Sequence, residues 1–378
     1  MRLSFIFLLF LNIVCLDEKF DDRQEYINKK FNDKLDSLNN IYVENIDFIN
    51  KEYEKLQTEH NRLFENQKKE ILKKWNNFEH STNKKYVEYI NDNNSRLVVD
   101  FEKGNLVIEV LSDEEFNKAD ALEMISSTLE KALSIKVDED FYLLENQLKT
   151  DEDIVIDPSN IETNIDELLS KQKIKISDSY TANDGEERVS YSVTIPFADN
   201  HLNARASKYK DIIIKNSKRF NLDPAIVFAI IETESAFNPK AKSHIPAYGL
   251  MQLVPKSGAR DAYKFLYNKD KFLSSRYLYN PEKNIELGCA YLHQIRNVYF
   301  KDIVNDEKAF MCSIAAYNTG IGNVSMTLSK TKNLKAASSA ANRLSEKKLY
   351  RKLCNKLEYE EARNYISKVW DRKDKYSS

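Results

Sequence analysis

Residues 223–239 read Asp223-Pro224-Ala225-Ile226-Val227-Phe228-Ala229-Ile230-Ile231-Glu232-Thr233-Glu234-Ser235-Ala236-Phe237-Asn238-Pro239, and this stretch decides how the chain is organised. Asp223 followed by Pro224 marks a helix start: an N-cap acceptor, then a proline at the first helical position, where its missing N–H leaves nothing unpaired. The helix that follows is apolar nearly all round, so it must run through a core. It ends in two acids, Glu232 and Glu234, at the negative pole of the helix macrodipole. That pole and partial burial both push a carboxyl pKa upward, toward what a general acid needs near neutral pH. The two acids lie about 200° apart around the helix axis, so at most one of them enters any one cleft.

Downstream, Ala247-Tyr248-Gly249-Leu250-Met251-Gln252-Leu253 and Ala315-Ala316-Tyr317-Asn318-Thr319-Gly320 set aromatic and amide side chains beside glycines. Such a mixture suits a sugar groove, where rings stack on pyranose faces and amides read hydroxyl and acetamido groups. Taken singly, each run also reads as a helix entering a core. Five of the seven glycines (Gly249, Gly258, Gly288, Gly320 and Gly322) fall in this part, which locates the tight backbone geometry there.

Upstream, the pattern changes. Leu97, Val99 and Phe101 alternate, a turn follows through Lys103-Gly104-Asn105, and Leu106, Ile108 and Val110 return, which predicts a β-hairpin. An amphipathic helix is predicted from about Lys118 to Ser134, with further helix near Phe141 to Leu148 and Ile161 to Leu169. A last alternating strand, Val189 to Ile195, ends at Pro196. Asn203 to Phe220 reads as amphipathic helix. From Asp17 to about Asn77 the chain has neither Pro nor Gly and spaces its apolar residues at three to four, as a long amphipathic helix or hairpin would.

The chain opens with Met1-Arg2 and an apolar run from Leu3 to Leu16, the order of an export signal and too short to span a bilayer comfortably. Cys15 stands where a lipid-modified cysteine would, although Val14 precedes it where that pattern wants a small residue. A lipid anchor and a free exported chain both stay open. The 57 basic and 59 acidic residues nearly cancel, so overall charge gives no reason to expect a nucleic-acid partner. His60, His80, His201, His244 and His293 show no metal-ligand spacing, and Cys289 and Cys312 read more readily as core residues than as a disulfide. No metal and no cofactor are expected.

At this order and spacing, four blocks together resemble the lytic transglycosylase catalytic domain: Glu234-Ser235-Ala236-Phe237-Asn238-Pro239, Gly249-Leu250-Met251-Gln252, Ala316-Tyr317-Asn318-Thr319-Gly320 and Glu361-Ala362-Arg363-Asn364-Tyr365. Lys84-Lys85-Tyr86-Val87 through the hairpin, and Tyr191-Ser192-Val193-Thr194, resemble the N-terminal domain of the membrane-bound type C group of that family. The resemblance covers about 80–378 and leaves the helical stretch before it outside. Val254, where several relatives place Met, and Tyr248, where a small residue is common, depart from the pattern.

The resemblance implies a mainly α protein with a small α+β domain. Its parts would be a mixed α+β domain at 80–196 and a lysozyme-like helical catalytic domain at 197–378, preceded by the signal at 1–16 and the amphipathic helical segment at 17–79 that the residue pattern gives. It implies cleavage of peptidoglycan glycan strands between N-acetylmuramic acid and N-acetylglucosamine without water, leaving 1,6-anhydro ends. Glu234 would be the acid and base, and Tyr365 would position it. Ser243, Gln252, Tyr317 and Asn318 would line the glycan cleft, and Gly249 and Met251 would shape its wall. The place would be the periplasm, with outer-membrane anchoring if Cys15 carries lipid. Two rivals remain: a hydrolytic muramidase of goose-type lysozyme style, and a non-catalytic glycan-binding scaffold.

Overall fold

Alternation in the first half and unbroken helical periodicity in the second produce an antiparallel sheet followed by a helical body. The computed structural model describes residues 57–112, 118–137, 141–150, 153–244 and 246–377, with scattered positions between 29 and 55. The expected signal and Cys15 lie outside the described residues, as does much of the segment from 17 to 56. Helix α1 covers 57–71. Strands β1 (Lys85–Ile90), β2 (Ser95–Asp100) and β3 (Asn105–Ser112) follow, then helices α2 (Lys118–Leu133) and α3 (Ile161–Ser170). Short strands β4 (Lys175–Ile176) and β5 (Tyr180–Thr181) precede the long β6 (Glu187–Pro196). All pairings are antiparallel, in the order β1-β2-β3-β6-β4, with β5 on the far part of β6.

The predicted hairpin is β2–β3, with Leu97 opposite Ile108 and Val99 opposite Leu106. Leu97, Val99, Phe101, Leu106, Ile108 and Val110 share one face and pack with Ile125 and Leu129 of α2 and with Ile161 and Ile165 of α3. β2 is a central strand, and its other face is covered too. Arg96 is buried there, its guanidinium 4.3 Å from the centroid of the Trp75 ring and 2.6 Å from a Glu109 carboxylate oxygen. The stem is packed while the charge stays paired, which is how a buried arginine remains affordable.

One expected helix is absent. Residues 141–150 form turns and isolated bridges, Lys136 pairing with Tyr142 and Lys149 with Val155. The Leu143 N–H donates to the Ile135 carbonyl and the Ile156 N–H to the Leu148 carbonyl, so these backbone groups pair across the chain instead of along a helix. Asn146 turns the chain at φ +59°. Leu143, Leu144 and Leu148 still reach the core, from turns. The apolar spacing reported burial correctly and the backbone wrongly.

After Pro196 come α4 (His201–Lys208), α5 (Lys210–Arg219), α6 (Pro224–Ser235), α7 (Gly258–Tyr267), α8 (Ser275–Leu278) and α9 (Pro281–His293), which runs into a π-helical turn, Gln294–Tyr299. The chain finishes with α10 (Asp306–Thr319), α11 (Ile321–Ser329), α12 (Leu334–Arg343), α13 (Glu346–Lys356) and α14 (Glu360–Lys373). α6 is the axle of this body. Ala225 to Glu232 are all buried on it, and α5 and α14 pack along it. Cys289 and Cys312 are unpaired and buried in the same core, the reading the sequence favoured. Residues 66–378 pack as one unit. Among the described residues, no helix is long and apolar enough to cross a membrane.

Candidate active site

The site is built around the end of α6. Asp223 caps its start, accepting from the Ala225 N–H at 2.9 Å with Pro224 behind it. At the other end Ala236 takes a left-handed conformation (φ +49°) and returns its N–H to the Glu232 carbonyl at 3.0 Å. Phe237 is left-handed as well, so the chain leaves the helix sharply and Glu234 stays in the last turn.

The two terminal acids part company as the helical geometry requires. Glu232 points to a cationic corner, 3.1 Å from Arg372 and 3.3 Å from Lys375, and accepts the Tyr376 hydroxyl at 2.5 Å. Glu234 has no cation in direct contact. The residue as a whole is part-buried at the helix end, and its carboxyl pKa is pushed up to about 7, chiefly by burial. The Tyr365 hydroxyl and the Lys84 ammonium pull the other way, and the Glu361 charge adds a small push upward. A carboxylic acid that is half protonated near neutrality can both donate and recover a proton.

Two phenols flank it. Tyr317, from the last turn of α10, is held by donating to the Met251 carbonyl at 2.9 Å. Tyr365, on α14, is buried with its hydroxyl beside Glu234, without meeting normal hydrogen-bond geometry. Burial and the neighbouring Glu234 charge push both phenols well above their ordinary pKa, so they stay protonated donors. Contacts of this kind tighten when a ligand closes the site.

The Gly249-Leu250-Met251-Gln252 run forms a turn pinned to the same helix end, since the Ser235 hydroxyl donates to the Leu250 carbonyl at 2.8 Å. Gly249 sits at φ +76°, where a Cβ would come within 2.4 Å of the Leu278 carbonyl oxygen, so only glycine fits. Met251 is wholly buried against Gly288, where a Cβ would meet its sulfur at 2.2 Å; it supports the wall from behind. Gln252 is also left-handed (φ +46°) and nearly buried. Its Nε2 donates to the Gly249 carbonyl at 3.0 Å, while its Oε1 has no partner.

The structure thus gathers Glu234, Tyr317, Tyr365 and the Gly249–Gln252 turn at one place. Asn318 lies on the rim, its amide 3.5 Å from Glu361. Ser243 closes a turn of its own, accepting from the Ala247 N–H at 3.1 Å. Sequence reasoning missed Asn284, fully buried on α9. It accepts from the Met251 N–H at 2.8 Å and donates to the carbonyls of Tyr248 and Leu278, so it holds the turn from beneath. An asparagine among apolar helix positions was the available signal. Among the described residues, no group of three or more His, Cys, Asp or Glu is placed to hold a metal ion.

Comparisons with known proteins bear on this geometry. A family model described as transglycosylase SLT domain matches residues 211–339. A second, the N-terminal domain of membrane-bound lytic murein transglycosylase C, matches residues 49–208. That match begins well before residue 80, so part of the helical stretch that the sequence resemblance left outside falls within it. Membrane-bound lytic murein transglycosylase C from Cronobacter sakazakii is 39% identical over 182 residues, 48% of this chain and 50% of that protein. The Salmonella arizonae protein of the same name is 38% identical, with the same coverage. The alignments span about half the length of these curated relatives. Among solved structures, the 70 kDa soluble lytic transglycosylase SLT70 from Escherichia coli is 26% identical, with a TM-score of 0.35 over 47% of this chain and 25% of that one.

Proposed function

We propose, from the premise that this chain belongs to the lytic murein transglycosylases, that it cleaves the β-1,4 bond between N-acetylmuramic acid and N-acetylglucosamine in peptidoglycan without consuming water. The observation that carries this reading is Glu234, a carboxyl with a pKa near 7 between two protonated phenols at the mouth of a buried helix end. Protonated Glu234 donates to the glycosidic oxygen as the C1–O bond breaks, and the substrate's own acetamido group stabilises the positive charge growing at C1. The resulting carboxylate then takes the proton of the muramyl C6 hydroxyl, whose oxygen bonds to C1 and closes the 1,6-anhydro ring. One residue serves as acid and then as base, so the two-carboxylate requirement of ordinary glycosidases falls away. Tyr365 orients Glu234. Tyr317, Gln252, Asn318 and Ser243 offer polar groups to the glycan, and Gly249 and Met251 shape the wall behind them.

In this reading residues 1–16 direct export to the periplasm, 17–79 are the segment that precedes the α+β domain, 80–196 that domain and 197–378 the catalytic domain. The relatives' printed name, membrane-bound, supports attachment to a membrane, with Cys15 as the residue to carry a lipid. Metabolic labelling with a fatty-acid analogue marks the wild type and not Cys15→Ala if the anchor is there.

Glu361 gives the hydrolytic rival a specific basis, because it is a second carboxylate whose charge is felt at Glu234. An inverting hydrolase needs such a partner to activate water. Digestion of purified sacculi separates the readings: transglycosylation is abolished by Glu234→Gln and survives Glu361→Gln, whereas two-carboxylate hydrolysis is lost in both. Undiminished digestion by Glu234→Gln removes both enzymatic readings through this residue.

A further inference from the structure

The C-terminal end of α6 is closed by side chains that come from elsewhere in the chain. The last carbonyls of a helix lack intrahelical partners and concentrate its negative pole. Here the Glu232 carbonyl accepts the Lys84 ammonium at 2.8 Å, and the Glu234 carbonyl accepts the Asn83 amide at 2.8 Å. Beyond them the Ala236 carbonyl accepts Arg205 Nε at 3.0 Å. Asn83 and Lys84 sit in the turn entering β1, about 150 residues away in sequence, and belong to the stretch matched by the N-terminal family model and not to the SLT match. The turn itself is built to hold them: the Thr82 hydroxyl accepts from the Lys84 and Lys85 N–H groups at 3.2 and 3.1 Å.

We propose that Asn83 and Lys84 are positioning residues for Glu234: the turn before β1 fixes the last turn of α6 through its carbonyls and sets one ammonium group beside the reactive carboxyl. The SLT portion then works only with the α+β portion in place. This rests on Glu234 being the reactive acid.

Lys84 is mostly buried, and among the described residues its one salt-bridge partner is Glu102, at 3.8 Å. Burial brings its pKa down to about 8. It therefore keeps its charge while Glu234 titrates near 7, and in doing so favours the Glu234 carboxylate. The other groups facing Glu234 are Tyr365 and Glu361 of α14 and Tyr317 of α10. Glu232, on the same helix, is turned away and paired with Arg372 and Lys375. Because the reaction begins with protonated Glu234, the rate falls as pH rises through its pKa. Removing the ammonium raises that pKa and moves the fall to higher pH.

The test uses the full chain and follows sacculus solubilisation against pH for the wild type, Lys84→Met, Lys84→Arg, Asn83→Ala and Glu234→Gln, with a melting curve for each. In Lys84→Met the alkaline fall moves up by about half a pH unit or more, as loss of a nearby opposite charge requires. Lys84→Arg, which keeps the charge, restores its position. Asn83→Ala lowers kcat by about tenfold with KM little changed, through misplacement of the acid. An alkaline fall unmoved in a folded Lys84→Met overturns the proposal, as does an Asn83→Ala enzyme with wild-type kcat. Should Lys84→Met not fold, Lys84→Gln and Asn83→Ala carry the same criteria. Activity retained by Glu234→Gln defeats the catalytic reading itself, whereas an inactive Glu234→Gln beside an unmoved alkaline fall defeats only this inference.

Discussion

Replacing Glu234 with Gln should stabilise the protein, and only at the pH where the carboxyl is forced to carry charge. In the folded protein this group holds its proton up to about pH 7, against 4.5 for the unperturbed group. Between those two values the unfolded chain binds fewer protons than the folded one, so stability falls as pH rises through the window. The favourable contribution of the raised pKa is fully present below about 4.5 and is gone above about 7. A shift from 4.5 to about 7 corresponds to about 3 kcal/mol. The residue is partly exposed, so about half of that, roughly 1.5 kcal/mol, is expected. For a chain of this size that is roughly a 2 °C change in Tm. Glutamine keeps the shape and cannot ionise, so melting of Glu234→Gln and wild type should coincide at pH 4.5 and diverge by this amount at pH 8.5, the variant higher. Equal Tm differences at the two pH values would refute the claim that burial holds this carboxyl protonated.

The Tyr365 hydroxyl is buried without a partner of normal geometry, so Tyr365→Phe should leave Tm unchanged or raise it slightly while lowering kcat about tenfold to a hundredfold; a drop in Tm with unchanged kcat contradicts the role given to it. Gly249→Ala places a Cβ against backbone at a left-handed position and should cost about 2 kcal/mol or more, seen as a lowered midpoint in urea unfolding. Asn284→Leu removes the support of the Met251 N–H and should abolish digestion in a chain that is still largely helical by circular dichroism; wild-type digestion by this variant would show that the turn holds itself.

The central helix was legible because everything that makes it is local: a cap, a proline, eight apolar residues in a row from Pro224 to Ile231, and a left-handed exit. The hairpin and β6 were legible for the same reason, since period-two alternation is written in consecutive residues. What failed was context. The 141–148 run carries helical spacing, but its backbone groups find partners at Ile135 and Ile156, which no window of that length reveals. At the site, Glu234, Tyr317 and Tyr365 could be named from motif order, whereas Asn284, Asn83, Lys84 and Arg205 could not. Each acts through a backbone carbonyl or N–H at a remote position, and such contacts leave no periodicity behind. Lys84 in particular stands in a polar turn and reads as an ordinary surface charge until the fold lays it against α6.

In the proposed reaction one carboxyl, Glu234, breaks the glycan by passing its proton out and taking another back from the substrate, with no water entering the bond. Mass analysis of the fragments released from purified sacculi tests it most directly. Transglycosylation through Glu234 leaves muramic acid ends lighter by one water than the hydrolysed sugar, released by the wild type and absent with Glu234→Gln. Reducing muramic acid ends from the wild type, at the full hydrated mass, would contradict it.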